Sequence, residues 1–363
     1  MRLFLCGDVM TGRGIDQALP HPAPPHLYES YADSAQRYVE LAEEANGPIA
    51  RPLGFADIWG AASAPMRACD ARIINLETAI TLSEDHAPKG INYRMSPANA
   101  PCLAGIDGCA LANNHVLDWG RAGLLDTLAA LDRLGIRRSG AGRTAREARA
   151  PAVLEIAGKG RVLVFACATT TSGTPHAWAA GEDTPGVHLL PDLSEATVEL
   201  VSGLIRETRR PNDVVVVSVH WGPNWGYEVP AAQRRFAQAL IERAEVAVVH
   251  GHSSHHPKAI EVHRGRLILY GCGDFLNDYE GIAGYAEFRG DLALMYLASI
   301  APDTGALAAL DLVPLRIARF RLVPASAEEA AWLQQTLDRE SRRFGTRVRL
   351  HEGRLAASWA GGP

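Results

Sequence analysis

Seven short apolar runs, at residues 3–6, 71–75, 108–111, 162–166, 214–219, 246–249 and 267–270, alternate with longer amphipathic stretches through about the first 275 residues. Runs of this length bounded by turn residues predict strands, and several lack polar alternation, which suits strands covered on both faces. The stretches 32–45, 121–134, 193–206 and 231–243 space their apolar residues as helices do. The alternation predicts βα units feeding one or two buried sheets, an α/β architecture.

Other segments are read by their breakers and caps. Residues 18–25 hold four prolines, so they predict a loop, and a long loop beside a site often forms its wall. Residues 291–324 are strand-like. Residues 325–344 predict a terminal helix, with Ser326 as N-cap and Glu328 and Glu329 in its first turn. With no repeat, low-complexity tract or clear linker, residues 1–324 are expected to form one domain, with 325–363 as a helix and extension packed on it.

Composition narrows the functions. The 363 residues are 47% hydrophobic and 21% charged, enough to bury one large core or two modest ones. A net charge of −5 supplies no broad attraction for nucleic acid or an anionic membrane, so any anion must be drawn by a local site. The six cysteines, Cys6, Cys69, Cys102, Cys109, Cys167 and Cys272, lack CxxC spacing and read as reduced core residues. The chain runs from Met1 directly into an apolar strand, without the pattern of a signal peptide, and no apolar run reaches the roughly 18 to 20 residues of a membrane span. These features predict a cytoplasmic protein.

Most of the predicted strands end in a residue able to bind a metal or move a proton. Residues 3–6 lead to Asp8; 71–75 lead through Asn75 to Glu77; 108–111 lead to Asn113, Asn114 and His115; 214–219 lead to His220; 246–249 lead to His250, His252, His255 and His256. Open α/β sheets place their sites at the carboxyl ends of strands. Each residue alone has a plainer account: Asp8 as a helix cap, Asn113 and Asn114 as turn residues, His220 as a satisfied core histidine. The four histidines between 250 and 256 are costly to gather unless charge or coordination compensates. Carboxylates, imidazoles and an amide oxygen suit one or two divalent ions such as Zn, Mn, Fe or Mg. Two such ions about 3.5 to 4 Å apart hold a bridging hydroxide, which points to hydrolysis, with His115 as the acid that protonates a leaving oxygen.

Six motifs carry a family resemblance: Gly7-Asp-Val-Met-Thr-Gly-Arg13, Asn75-Leu-Glu77, Ala112-Asn-Asn-His115 with Leu117-Asp-Trp-Gly120, His220-Trp-Gly222, Gly251-His-Ser-Ser-His255 and Tyr270-Gly-Cys-Gly-Asp-Phe275. In order and spacing they resemble the capsule-synthesis CapA family, also called the poly-γ-glutamate synthesis family, which is similar to the calcineurin-like metallophosphoesterases. The resemblance spans residues 1–278. It implies a layered α/β/β/α metallophosphoesterase-like sandwich with ligands at strand carboxyl ends. It also implies Asp8, Glu77, Asn114, His220, His252 and His255 as metal ligands and His115 as general acid. The sequence departs from the phosphoesterase pattern in three places. Met10 stands where a histidine is expected, Glu77 where a bridging aspartate is expected, and two residues separate His252 from His255 instead of one.

Arg13, Lys89, Arg94 and Trp221 are candidates for substrate binding, although Arg13 reads equally as a surface arginine and Trp221 as a pocket floor. Asn75, Asn113, Asp118 and Asp274 are candidates for orienting the ligands or their ring nitrogens. Two functions follow. One is a metal-dependent hydrolase acting on a phosphoester, or on an amide or ester of an acidic polymer such as poly-γ-glutamate. The other is a non-catalytic accessory protein that binds an anionic polymer and capsule-synthesis partners. Met10 favours the second, and His115 favours the first.

Overall fold

The computed structural model describes residues 1–282 and 284–362. All seven predicted strands form, with ends shifted by a few residues. They divide between two sheets.

The larger sheet is built around the strand Arg2–Val9, which pairs in parallel with Ala71–Leu76 and with Asp274–Leu276. Ala71–Leu76 is followed by Gly108–Ala110 and Arg137–Ser139, also parallel. On the other side the sheet continues antiparallel through Leu292–Ile300 and Leu307–Ala318, strands that fall in the segment read as strand-like. The smaller sheet has a parallel centre, Gly160–Ala168, Val214–His220, Val248–His252 and Arg266–Leu269, closed by antiparallel edges at Ala152–Ile156 and Ile260–His263.

Side-chain alternation sorts these uniformly apolar strands into layers. Leu3, Leu5 and Ile73 of the larger sheet share one apolar cluster with Val162, Val164, Val214 and Val216 of the smaller. Their sequence neighbours point the other way, as the period of two requires. Phe4, Ile74 and Leu76 pack with Leu124, Leu128 and Leu131 of the helix Gly120–Leu134. Leu163, Phe165, Val215 and Val217 pack with Val198, Val201 and Ile205 of Glu195–Thr208 and with Phe236 and Leu240 of Ala231–Ala244. The two sheets therefore meet across one core, with helices against their opposite faces. Each fully buried Leu, Ile, Val or Phe contributes about 1.5–3 kcal/mol relative to an exposed one.

Three local features differ from the sequence expectation. A six-residue helix, Arg13–Ala18, precedes the proline-rich loop and takes residue 18 from it; so short a helix shows no periodicity. The helix read as 32–45 begins later, at Gln36. The C-terminal extension forms a hairpin, Thr346–His351 with Arg354–Trp359, whose second strand joins Leu307–Ala318 and widens the larger sheet. The helix before it, Ala327–Ser341, has Ser326 as its N-cap as expected, closes a capping box between Ser326 and Glu329, and buries Leu333 and Leu337 in the inter-sheet core. All six cysteines are buried and unpaired. No helix among the described residues is long and apolar enough to cross a membrane.

Candidate metal centre

The carboxyl ends of the parallel strands of both sheets converge. From the larger sheet, register sets Asp8 beside Asn75 on one flank and Asp274 on the other. Gly7 permits the second contact, since a Cβ there would lie 1.5 Å from the Gly273 carbonyl oxygen. The Asp8 N–H donates to that same carbonyl at 3.0 Å. Asn75 Nδ2 donates to Asp8 Oδ1 at 2.7 Å and to Glu77 Oε2 at 3.0 Å, so one amide positions two carboxylates. Asn113 supports it in turn. Its Nδ2 donates to Asn75 Oδ1 at 3.1 Å, and its Oδ1 accepts from the backbone N–H groups of His115 and Val116.

The smaller sheet supplies the imidazoles. Its register pairs Ser218 with His250 and His220 with His252, and because the spacing is two, all four point to one face. His220 Nδ1 lies 2.7 Å from His252 Nδ1, and His220 Nε2 lies 2.8 Å from Asn114 Oδ1 and 3.7 Å from Glu77 Oε1. His252 Nδ1 is 3.9 Å from Asp8 Oδ1, while its Nε2 meets Ser218 Oγ at 2.8 Å. His255 Nδ1 bonds Asp274 Oδ1 at 2.9 Å, and Asn277 Nδ2 donates to Asp274 Oδ2 at 2.7 Å.

The electrostatics are those of a site lacking a counter-charge. Asp8, Glu77 and Asp274 are 0%, 2% and 1% exposed. Burial and the Asp274 charge push the Asp8 carboxyl up to about 7, and burial and Asp8 raise Glu77 well above the carboxylate range. Burial also drives His220 and His252 far below the usual imidazole value. For His255 burial acts in the same direction, but Asp274 overcomes it and leaves the ring more basic than usual. Three buried carboxylates thus face uncharged imidazole rings, with only His255 favoured as a cation. A divalent ion corrects that imbalance.

A cavity of about 290 Å³ opens onto this cluster, lined by Glu77, Lys89, Asn114, His115, His255 and Tyr279 among others. His115 Nδ1 lies 2.6 Å from Asp118 Oδ2, and its Nε2 is 3.9 Å from Glu77 Oε1. Lys89 Nζ donates to Asp118 Oδ1 at 2.7 Å and to the carbonyl of Asn114. Burial lowers the His115 pKa to about 4 against the pull of Asp118, with Lys89 adding to the depression. With Nδ1–H donated to Asp118, its Nε2 carries a lone pair.

The predicted residues therefore fall into two groups. Asp8, Glu77, Asn114, His115, His220, His252 and His255 come together, with Asn75, Asn113, Asp118, Asp274 and Lys89 around them. Arg13, Arg94 and Trp221 are occupied elsewhere. Arg13 pairs with Asp278 and Glu29. Arg94 donates to the Ser83 and Pro24 carbonyls and stacks on Trp119, tying down the proline-rich loop. Trp221 is in the core, its Nε1–H on the Tyr270 carbonyl. Met10 is buried and accepts from Tyr279 Oη at 3.6 Å.

Sequence reasoning assigned Asp274 only an orienting part, whereas it stands among the potential ligands. It did not single out Ser218, Asn277 or Tyr279. The period of two in Ser218/His220, matched by His250/His252, was the available signal for Ser218.

Among the described residues, two groups have donor atoms all within 4.8 Å of one another: Asp8, His220 and His252, and Asp8, His255 and Asp274. Asp8 belongs to both, the arrangement expected of two neighbouring ions sharing a ligand. The oxygen and imidazole donors fit Zn, Mn, Fe or Mg, and no thiolate takes part. A metal held there would supply Lewis acidity and a fixed positive charge beneath the cavity.

Comparison with known proteins identifies the family. The family model for the bacterial capsule synthesis protein PGA_cap matches residues 2–279. The chain is 47% identical over 352 residues to a probable polyglutamine synthesis accessory protein of Mycobacterium tuberculosis, covering 95% of this chain and 92% of that protein. It is 27% identical over 338 residues to the PGA biosynthesis protein CapA of Bacillus subtilis, covering 92% and 76%. With the capsule biosynthesis protein CapA of Bacillus anthracis it shares 26% identity over 215 residues, 59% of this chain and 48% of the relative. The matched segment contains every strand end that builds the centre, and the chain belongs to the bacterial capsule synthesis protein PGA_cap family.

Proposed function

We propose that this chain is a metal-binding accessory protein in the synthesis of an acidic, glutamate-based polymer, holding anionic groups of that polymer at the metal centre. The observation that carries the reading is the union of a carboxylate–imidazole cluster with a cavity whose wall includes the Lys89 ammonium. A carboxylate entering it meets a metal from below and a fixed cation at the side. The relatives' names support the polymer class.

A second surface feature supports contact with a polyanion. Residues 132–149 carry Arg133, Arg137, Arg138, Arg143, Arg146 and Arg149 against Asp132 and Glu147, which pair with Arg138 and Arg143, although the whole chain is acidic. Arg137 and Arg138 line a cavity of about 570 Å³ together with Asp132 and Glu155, and Arg146 and Arg149 one of about 340 Å³ together with Glu207. Contacts of this kind weaken as salt is added.

Hydrolysis is the second reading, favoured by His115 in the cavity wall with Asp118 on its far nitrogen. The layered sheets and strand-end ligands accord with a metallophosphoesterase-like arrangement. A ring held near pKa 4, however, accepts a proton at Nε2 before it can give one. A role as general acid needs that proton first.

Calorimetry with oligomers of γ-linked glutamate separates the readings. The accessory reading expects metal-dependent binding with the oligomer recovered at its original length. Shortened oligomers, or turnover of phosphoesters when Mn, Zn, Fe or Mg is supplied, establish the hydrolase. No binding with or without metal contradicts the polymer reading.

A further inference from the structure

His250 lies on the same face of its strand as His252, yet it is fully buried away from the cavity. Its two hydrogen-bond partners are the Cys6 carbonyl oxygen, 2.7 Å from Nε2, and Ser218 Oγ, 3.1 Å from Nδ1. A carbonyl only accepts, so Nε2 carries the hydrogen. An imidazole this deep, with no carboxylate among its partners, stays neutral, so Nδ1 carries a lone pair.

The remaining directions follow from one hydrogen per donor. Ser218 has a single hydroxyl hydrogen, which goes to His250 Nδ1. Ser218 Oγ therefore accepts from His252 Nε2–H at 2.8 Å. His252 Nδ1 is then a lone pair, 2.7 Å from His220 Nδ1 and 3.9 Å from Asp8 Oδ1, on the side where the donors of Asp8, His220 and His252 gather. The opposite direction would require hydrogens on both nitrogens of buried His250.

We infer that His250 and Ser218 are positioning residues which, through a one-way chain from the Cys6 carbonyl, fix the ring tautomer of His252 so that it presents Nδ1 to a metal. Neither residue touches the ion. The chain joins the two sheets, since Cys6 belongs to the larger and His250 to the smaller. The inference rests on the proposed metal centre for its purpose but not for its geometry.

The experiment reads tautomers directly. In metal-stripped protein with 15N-labelled histidine rings and assigned resonances, His250 and His252 are expected as Nε2–H tautomers. A His252 ring protonated at Nδ1 overturns the inference without any variant being made. Ser218→Ala is expected to bind Zn²⁺ roughly 10–100-fold more weakly and to mix the His252 tautomers, while Ser218→Thr, which keeps the hydroxyl, binds close to wild type. Ser218→Ala that melts normally and binds Zn²⁺ with unchanged affinity also overturns it. Wild-type protein that binds no Zn²⁺ ends the metal-centre reading, and the ring spectra still decide the tautomer chain.

Discussion

Two buried polar clusters lie near the same end of the larger sheet, and they resolve their charge in opposite ways. Around Arg13, Nε and Nη2 meet the two oxygens of Asp278 at 3.1 and 2.6 Å, Nη1 meets Glu29 at 2.8 Å and Tyr38 at 2.9 Å, and the guanidinium lies over the Tyr38 and Tyr93 rings. Carboxylate and cation are both supplied by the chain. Around Asp8 the chain supplies three carboxylates and mostly neutral rings, and burial and mutual repulsion raise the pKa of Asp8 and Glu77. The first cluster is complete as folded, and the second has the donor set that a divalent ion would complete. Burial of charge is thus no guide to function until its partners are counted.

This contrast makes Arg13→Ala the most disruptive substitution. It leaves Asp278 and Glu29 buried without their cation, at a cost of about 3–5 kcal/mol. Chemical denaturation should show that loss equally with and without metal. Removing the ion acts on the other cluster alone: at 100-fold over Kd, bound metal stabilises by about 2.7 kcal/mol. Chelation should lower the melting temperature of wild type and leave that of a ligand-deleted variant unmoved. Ser326→Ala removes a cap far from both clusters and should cost about 1 kcal/mol in either state of loading. The smallest effect is expected for Asp8→Asn in metal-free protein, whose stability should hold or rise slightly because a repelling carboxylate is gone, even as metal affinity falls. A large loss of metal-free stability in Asp8→Asn would place that cluster in the same class as Arg13.

The sequence made the alternation of buried strands and helices legible because period and breakers are local properties. The residues of the centre were legible because each follows an apolar run, a feature of connectivity that survives without coordinates. Side-chain direction was not. Arg13 stands five residues after Asp8, and only the fold turns it toward Asp278, 265 positions away. The partners of Arg94 and Trp221, Pro24 and Tyr270, are likewise distant in the chain. Asp274 was read as an orienting residue, because its proximity to Asp8 depends on the glycine contact between Gly7 and Gly273. The C-terminal hairpin went unread because its exposed strands mix charged and apolar residues and lack a hydrophobic run.

The central claim is that residues from both sheets share cations at their strand ends. Metal analysis of the purified protein, followed by stripping and calorimetric reloading with Zn²⁺ and Mn²⁺, tests it most directly. The account predicts at least one ion per chain in wild type, with content reduced in both Asp8→Ala and His252→Ala. Wild-type protein that carries no metal, takes up none, and melts at the same temperature with or without it would contradict the claim.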